Sequence, residues 1–324
     1  MSQNLKNILE PLSVDLLRVD EKIKSHLETG VPIIDDSSMH LFFKGGKKIR
    51  ASLVLLSAGL KSDITDGVID LAAAVEIIHA ASLIHDDIID KSFMRRGLIS
   101  VPSKFGDKVA VLAGDYMYSV AVNIAVKSKN DRILDSISGA TKEMVKGELY
   151  QIEYSNIDKI TEEHYYNIIE RKTGRLMATS AAIGAIIAGL KPEECDIIYN
   201  LGLDIGFAFQ IIDDTFDFSD SSSITGKDVG NDFKDGKITL PFIYILNNGT
   251  EEEKQNVRNF AADPDRADWD KVRTMIHSSG AFNYSINRAD EFAKSAKKQL
   301  DIFPDSVNKE IIRNLINFIV ERNY

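Results

Sequence analysis

Apolar residues recur at helical spacing along almost the whole chain. Ile168, Leu176, Ile183, Ile186 and Ile187 form one such series. Val307, Ile311, Ile312, Leu315 and Ile319 form another, behind a Pro304 whose fixed φ suits a first helical turn. The 89 residues between Pro102 and Pro192 contain no proline, so long helices can run there without a break. No convincing alternation of period two appears, and Asp235-Gly236 lies in a polar stretch without strand patterns beside it. The pattern predicts an all-α chain. Helices are expected near 3–28 with a break at Pro11, then 47–60, 66–90, 106–127, 131–155, 161–190 and 193–218, with shorter ones from 239 onward. Segments 67–89 and 176–190 are apolar nearly all round, which assigns them to the inside of a bundle.

No linker rich in proline, glycine or serine divides the chain, and residues 1–324 are expected to form a single domain. Two polar loops stand out. One runs from Lys91 to Gly106 and carries Lys91, Arg95, Arg96 and Lys104. The other runs from Ser219 to Lys237, with Gly226, Gly230 and Gly236 beside Lys227, Lys234 and Lys237. A loop that long in a compact domain is a functional candidate.

Composition narrows the class. The chain has 39 Lys+Arg against 49 Asp+Glu, a net charge of −10, which argues against a non-specific nucleic-acid binder. Its one cysteine, Cys195, excludes a disulfide framework and a cysteine-rich metal site. The first residues lack the apolar region of a signal peptide. The longest uncharged apolar-rich run, Leu176 to Leu190, is 15 residues, short of the ~20 that span a bilayer. The expectation is a cytoplasmic protein with no membrane span.

The acids are not evenly spread. Residues 71–90 read as a buried-type helix ending in Asp86, Asp87 and Asp90, and Asp86 and Asp90 share a face. The pattern recurs 127 residues later, where Asp213 and Asp217 share a face with Asp214 beside them. Either cluster alone is compatible with a solvated helix end. Together they run against the helix dipole, and ionised acids in apolar surroundings are costly without a compensating cation. Two such clusters point to metal binding across facing helices. Oxygen ligands without Cys or paired His favour a hard cation, Mg²⁺ above others. Such a metal keeps positions open for phosphate oxygens. Arg95 and Arg96 follow the first cluster, Lys227 and Lys237 follow the second, and Lys47 and Arg50 are expected in the first turn of a helix, where free N–H groups favour anions.

With these motifs the sequence resembles the trans-isoprenyl diphosphate synthases of the polyprenyl synthetase family. The carriers are GGKKIR (45–50), HAASLIHDDIIDKSFMRRG (79–97), GD (114–115), KTG (172–174), FQIIDDTFD (209–217) and GKDVGNDFKDGKITLP (226–241). The resemblance implies an antiparallel α-bundle around a central active-site cavity, usually a homodimer. It implies that Mg²⁺ held by Asp86, Asp90, Asp213 and Asp217, with Asp87 and Asp214 in support, bridges an allylic diphosphate such as farnesyl diphosphate. Arg95, Lys172 and Lys237, with Lys227 a further candidate, correspond to the cations on that diphosphate. Lys47, Arg50, His79 and Arg96 correspond to the isopentenyl diphosphate site, and Thr173 and Gln210 to polar groups beside the reacting carbons. The family's usual GGKRxRP and KTA read GGKKIRA and KTG here, with Lys48, Ala51 and Gly174 as the departures.

The implied reaction ionises the allylic diphosphate and joins the cation to the isopentenyl double bond. The Ser219–Lys237 loop is the candidate lid against water. His85 is expected to pack or to support its neighbours and not to act as a base. Product length should follow from Ala81 and Ser82, about one turn before Asp86. Small residues there, continued by Ala74, imply an open tunnel and a long product of octaprenyl type. Met117, Tyr118 or Val122 are candidates for its floor. The alternatives are a farnesyl- or geranylgeranyl-length synthase, a terpene cyclase, or a non-catalytic synthase subunit. Intact paired acid clusters weigh against the last two.

Overall fold

The computed structural model describes residues 3–42, 46–216, 218 and 237–321. These fold as helices almost throughout, as the periodicity predicts. In chain order they are α1 (Gln3–Ile8), α2 (Ser13–Leu27), α3 (Pro32–Met39), α4 (Ile49–Ala58), α5 (Asp66–Ile89), α6 (Val101–Phe105), α7 (Asp107–Lys127), α8 (Asp131–Glu153), α9 (Glu162–Ile169), α10 (Arg175–Ile187), α11 (Pro192–Phe216), α12 (Leu240–Asn248), α13 (Glu251–Ala262), α14 (Trp269–Ser278), α15 (Ala281–Leu300) and α16 (Val307–Val320). The break expected at Pro11 is a 3₁₀ turn, Glu10–Leu12, with the proline in its first positions. The helix expected over 161–190 is not continuous. A π-helical turn, Glu170–Gly174, separates α9 from α10. Such turns insert an extra residue and are frequent at functional sites.

Two compact units are present, residues 1–141, 176–202 and 300–315, and residues 142–175, 203–299 and 316–324. In the first, α5 packs against α7, α4 and α2. Its residues Val68 to Ile78 are almost all buried, which follows from an apolar surface on every side. In the second, Tyr165 and Ile169 of α9, Ile211 and Ile212 of α11 and Phe242 of α12 share a core with Val257, Val272 and Ile276.

The loop expected at 91–106 is more structured than its polarity suggests. Met94–Arg95 and Leu98–Ile99 pair as strands β1 and β2, in a hairpin whose two turn residues, Arg96 and Gly97, both have positive φ. That is the turn geometry matched to strand twist, normally served by Asn-Gly. Strands of two residues carry no readable alternation, so the hairpin is invisible in the pattern. The helix α6 follows, capped by the Ser100 hydroxyl.

Three helices are long and apolar enough to cross a membrane by length and composition alone: α5, α7 and α11. A count of uncharged runs misses them because a span tolerates a few charges. The apolar window of α5 is 72% buried inside the protein, and that of α7 only 39%. The exposed side of α7 carries Val111, Leu112, Val122 and Val126.

Candidate active site

The sequence-predicted site residues fall into two groups, one in each unit. In the first unit, α5 ends at Asp90, whose N–H donates to the Asp86 carbonyl at 2.8 Å. Asp86 and Asp90 are half-buried and Asp87 is fully buried. Asp87 Oδ1 accepts from Arg95 Nε and lies 2.6 Å from Arg95 Nη2. Burial raises the Asp87 carboxyl above its ordinary range, and the Arg95 charge pulls it back. The other oxygen, Oδ2, is buried with no hydrogen-bond partner among the described residues. Asp87 therefore fixes the Arg95 guanidinium as its support.

The hairpin turn sends Arg96 elsewhere. Its Nη2 lies 3.3 Å from His79 Nε2. A side chain at position 46 would meet Arg96 Nη1 at 3.1 Å from its Cβ, so the second glycine of GGK is there for close approach. Burial pushes Arg50 down to about 10, with Glu76 opposing and Arg96 adding to the shift. Glu76 is itself buried and accepts the Ala51 N–H at 3.0 Å. This revises the expectation for the GGK segment. Lys48 adopts a left-handed conformation as N-cap and α4 starts at Ile49, so Lys47 precedes the helix and only Arg50 lies in its first turn. One first-turn donor is satisfied by Glu76 and not held for an anion. Lys48 pairs with Asp20 of α2. Glu76 was missed in the sequence, although a lone carboxylate in an otherwise apolar turn was a usable signal.

Burial foremost, then Arg50, Arg96 and Arg95, hold the His79 imidazole well below its usual value. A neutral ring accepts from Arg96. As pH falls below about 6.5 the unfolded chain takes up a proton that the folded site refuses, so stability falls toward acid. The expected contribution is a slope of up to about 1.4 kcal/mol per pH unit. Denaturant unfolding at pH 7 and pH 5.5 checks it, and His79→Gln should flatten the difference.

His85 packs as expected. Its Nε2 lies 3.2 Å from the Val111 carbonyl and 3.8 Å from Asp115. A Cβ at position 114 would sit 2.2 Å from the same nitrogen, so the GD motif makes room for this ring. Cys195 is buried, as a small side chain would be. Ala74 and Ala81 are fully buried, and Ser82 is half-buried with its hydroxyl on the His79 carbonyl. Met117 is buried and Val122 is exposed.

In the second unit the π turn carries Lys172 and Thr173. Lys172 Nζ lies 2.5 Å from Glu148 and donates to Gln151 Oε1 at 3.0 Å, both on α8. These two partners were not foreseen. Their spacing of three puts them on one helical face, the only sequence trace they leave. Thr173 donates to Gln210 Oε1 at 2.6 Å, and Gln210 Nε2 donates to Asp214 Oδ1 at 2.7 Å. Tyr165 donates to Asp214 Oδ2 at 2.7 Å and was also missed. Asp213, on the same helical segment, is half-buried. At Gly174 a Cβ would stand 2.9 Å from Leu203 Cδ1, so the departure from KTA fits this chain's own packing. Lys172, Thr173, Gln210, Asp214, Lys237 and Thr239 line a cleft of about 130 Å³. The Thr239 hydroxyl there is buried with no hydrogen-bond partner among the described residues.

Asp217, Lys227 and the 219–236 part of the proposed lid lie outside the described residues. Among the described residues no three of His, Cys, Asp and Glu converge as a ready-made metal site. The donors that are present fit a hard cation with open coordination. In the first unit Asp86 and Asp90 are half-buried carboxylates at an unfavourable helix end, beside the Asp87 oxygen that has no hydrogen-bond partner among the described residues, and in the second unit Asp213 is half-buried.

Comparison with known proteins bears on this geometry. The family model described as "Polyprenyl synthetase" matches residues 31–278. The octaprenyl diphosphate synthase of Escherichia coli is 32% identical over 321 residues, covering 99% of both chains. The geranylgeranyl diphosphate synthase of Methanosarcina mazei is 31% identical, covering 89% of both. A polyprenyl synthase from Caulobacter crescentus, solved with calcium and isoprenyl diphosphate, superimposes with a TM-score of 0.92 at 29% identity, over 99% of this chain and 98% of that one.

Proposed function

We propose, because this chain belongs to the polyprenyl synthetase family and is a prenyltransferase of the trans-polyprenyl diphosphate synthase type, that it condenses isopentenyl diphosphate with an allylic diphosphate such as farnesyl diphosphate to give a long, octaprenyl-like product. The observation that carries this proposal is the cleft in which Lys172, Lys237, Thr173 and Gln210 combine cations for a diphosphate with oriented oxygens for a carbon centre.

Asp86, Asp90, Asp213 and Asp217 would hold Mg²⁺, which when bound neutralises charge growing on the departing diphosphate. Arg95, Lys172, Lys237 and Lys227 grip the allylic diphosphate, Arg95 in the orientation Asp87 gives it. Lys47, Arg50, His79 and Arg96 hold isopentenyl diphosphate, Glu76 keeping the arginines' charges compensated in its absence. Thr173 and Gln210 turn oxygen lone pairs toward the allylic carbon and favour its positive charge. The proton lost at the end has the released diphosphate as its nearest strong acceptor. The basis for a long product is the run of small residues Ala74, Ala81 and Ser82 on α5, because relatives of similar identity differ in the chain length they are named for and do not decide it. The exposed apolar side of α7 supports a homodimer. Burial of 72% of the apolar window of α5 inside the protein supports reading that helix as core and not as a membrane span.

The test is incubation with Mg²⁺, labelled isopentenyl diphosphate and farnesyl diphosphate, with the product read by mass spectrometry. Elongation by about five units is expected for an octaprenyl product, with activity lost on chelation and restored by Mg²⁺. Failure with every allylic starter defeats the proposal.

A further inference from the structure

We propose that Tyr165 is a positioning residue that anchors, from the core, a hydrogen-bond chain reaching the cleft and thereby sets which way the Thr173 hydroxyl points its proton. The chain runs through three contacts: Tyr165 to Asp214 at 2.7 Å, Gln210 to Asp214 at 2.7 Å, and Thr173 to Gln210 at 2.6 Å. Tyr165, Asp214 and Thr173 are 3%, 6% and 8% exposed and Gln210 is half-buried at the cleft, so the Tyr165–Asp214 bond is the one best shielded from water.

The donor direction along the chain is forced. The Gln210 amide nitrogen can only donate, so Asp214 Oδ1 accepts from it, and the Tyr165 phenol donates to the other oxygen, Oδ2. The Gln210 amide then presents Nε2 to the carboxylate and Oε1 to Thr173, which must donate in turn. The Thr173 proton is committed to Gln210, and its oxygen presents lone pairs to the cleft. That polarity suits a cationic carbon and not a diphosphate oxygen.

Tyr165 is the fixed end. Its ring packs in the core formed with Ile169, Ile211 and Phe242, and meets Tyr166 edge-on at 5.6 Å. Core packing holds the phenol, the phenol orients the carboxylate, and the carboxylate orients the amide. The inference rests on the functional proposal above only in taking Thr173 and Gln210 as neighbours of the reacting carbon.

A double-mutant cycle on the full chain tests it. Elongation from farnesyl diphosphate with Mg²⁺ is measured for the wild type, Tyr165→Phe, Gln210→Ala and the pair. Tyr165→Phe keeps the ring and removes the donor. Each single change is expected to lower kcat about tenfold, the scale of one hydrogen bond to a charged group, with KM for both substrates within about twofold. The pair should be no slower than the slower single variant. Effects that multiply, or a Tyr165→Phe kcat within about twofold of wild type, overturn the proposal. Thermal unfolding midpoints of the same four proteins read the chain without activity. The loss in the pair should be smaller than the sum of the single losses, and an additive result overturns the chain. A wild type that does not elongate defeats the functional proposal instead and leaves the midpoint cycle to decide this one.

Discussion

Asp86→Asn and Asp213→Asn should each lower kcat for elongation by about 10³-fold, while Asp135→Asn, an exposed acid on α8, should leave it within about twofold. The substitution keeps the side chain's shape and removes one negative charge. If the acids served folding, removing charge at the C-terminal end of an apolar helix would help, because the dipole and partial burial both disfavour an anion there. The Asn variants should therefore be as stable as the wild type or more so, and inactive. Elongation rates at several Mg²⁺ concentrations, with thermal unfolding alongside, separate the cases. A stable Asp86→Asn variant of near-normal activity would defeat the metal assignment for the first cluster, and Asp213→Asn decides the second independently.

Ala81→Phe should shorten the product by several isoprene units while the first condensation stays within about tenfold of wild type. Ala81 lies five residues before Asp86, about 7.5 Å along α5. A growing chain that passes this point would meet the phenyl ring after the first additions. Ala81 is fully buried, so the ring also costs stability, about 1–3 kcal/mol by overpacking. Ala74→Phe, two turns further from the acids, supplies the control. It carries a similar packing cost but should stop the chain later. Product mass spectra of both folded variants give the answer, and an unchanged length in Ala81→Phe defeats the tunnel assignment.

Part of this site is legible in the sequence, for identifiable reasons. The acid clusters stood out because charge at the end of an apolar helix conflicts with two physical preferences at once, and such a conflict is visible in one dimension. Lys172, Thr173 and Gln210 carried no conflict of that kind and were reached only through motif resemblance. Glu76, Glu148, Gln151 and Tyr165 were not reached. Each acts on a residue distant in sequence: Glu76 on Ala51, Glu148 and Gln151 on Lys172, Tyr165 on Asp214. The β1–β2 hairpin was missed because two-residue strands have no period, and its Arg-Gly turn lacks the usual Asn.

Helical periodicity determined the all-α class, the long helices and the interior position of α5, because each depends on neighbours three and four residues away. It also determined where acids gather at the ends of apolar helices. Tertiary structure alone decided what those acids and cations face: Arg95 on Asp87, Arg96 on His79, Lys48 on Asp20, and Lys172 on Glu148. It alone decided that a π turn presents the KTG motif and that Asp214 orders Gln210. These are contacts between side chains on different elements. Their partners are chosen by how helices pack and by which buried polar atoms must find one another, and no spacing along one helix encodes that choice.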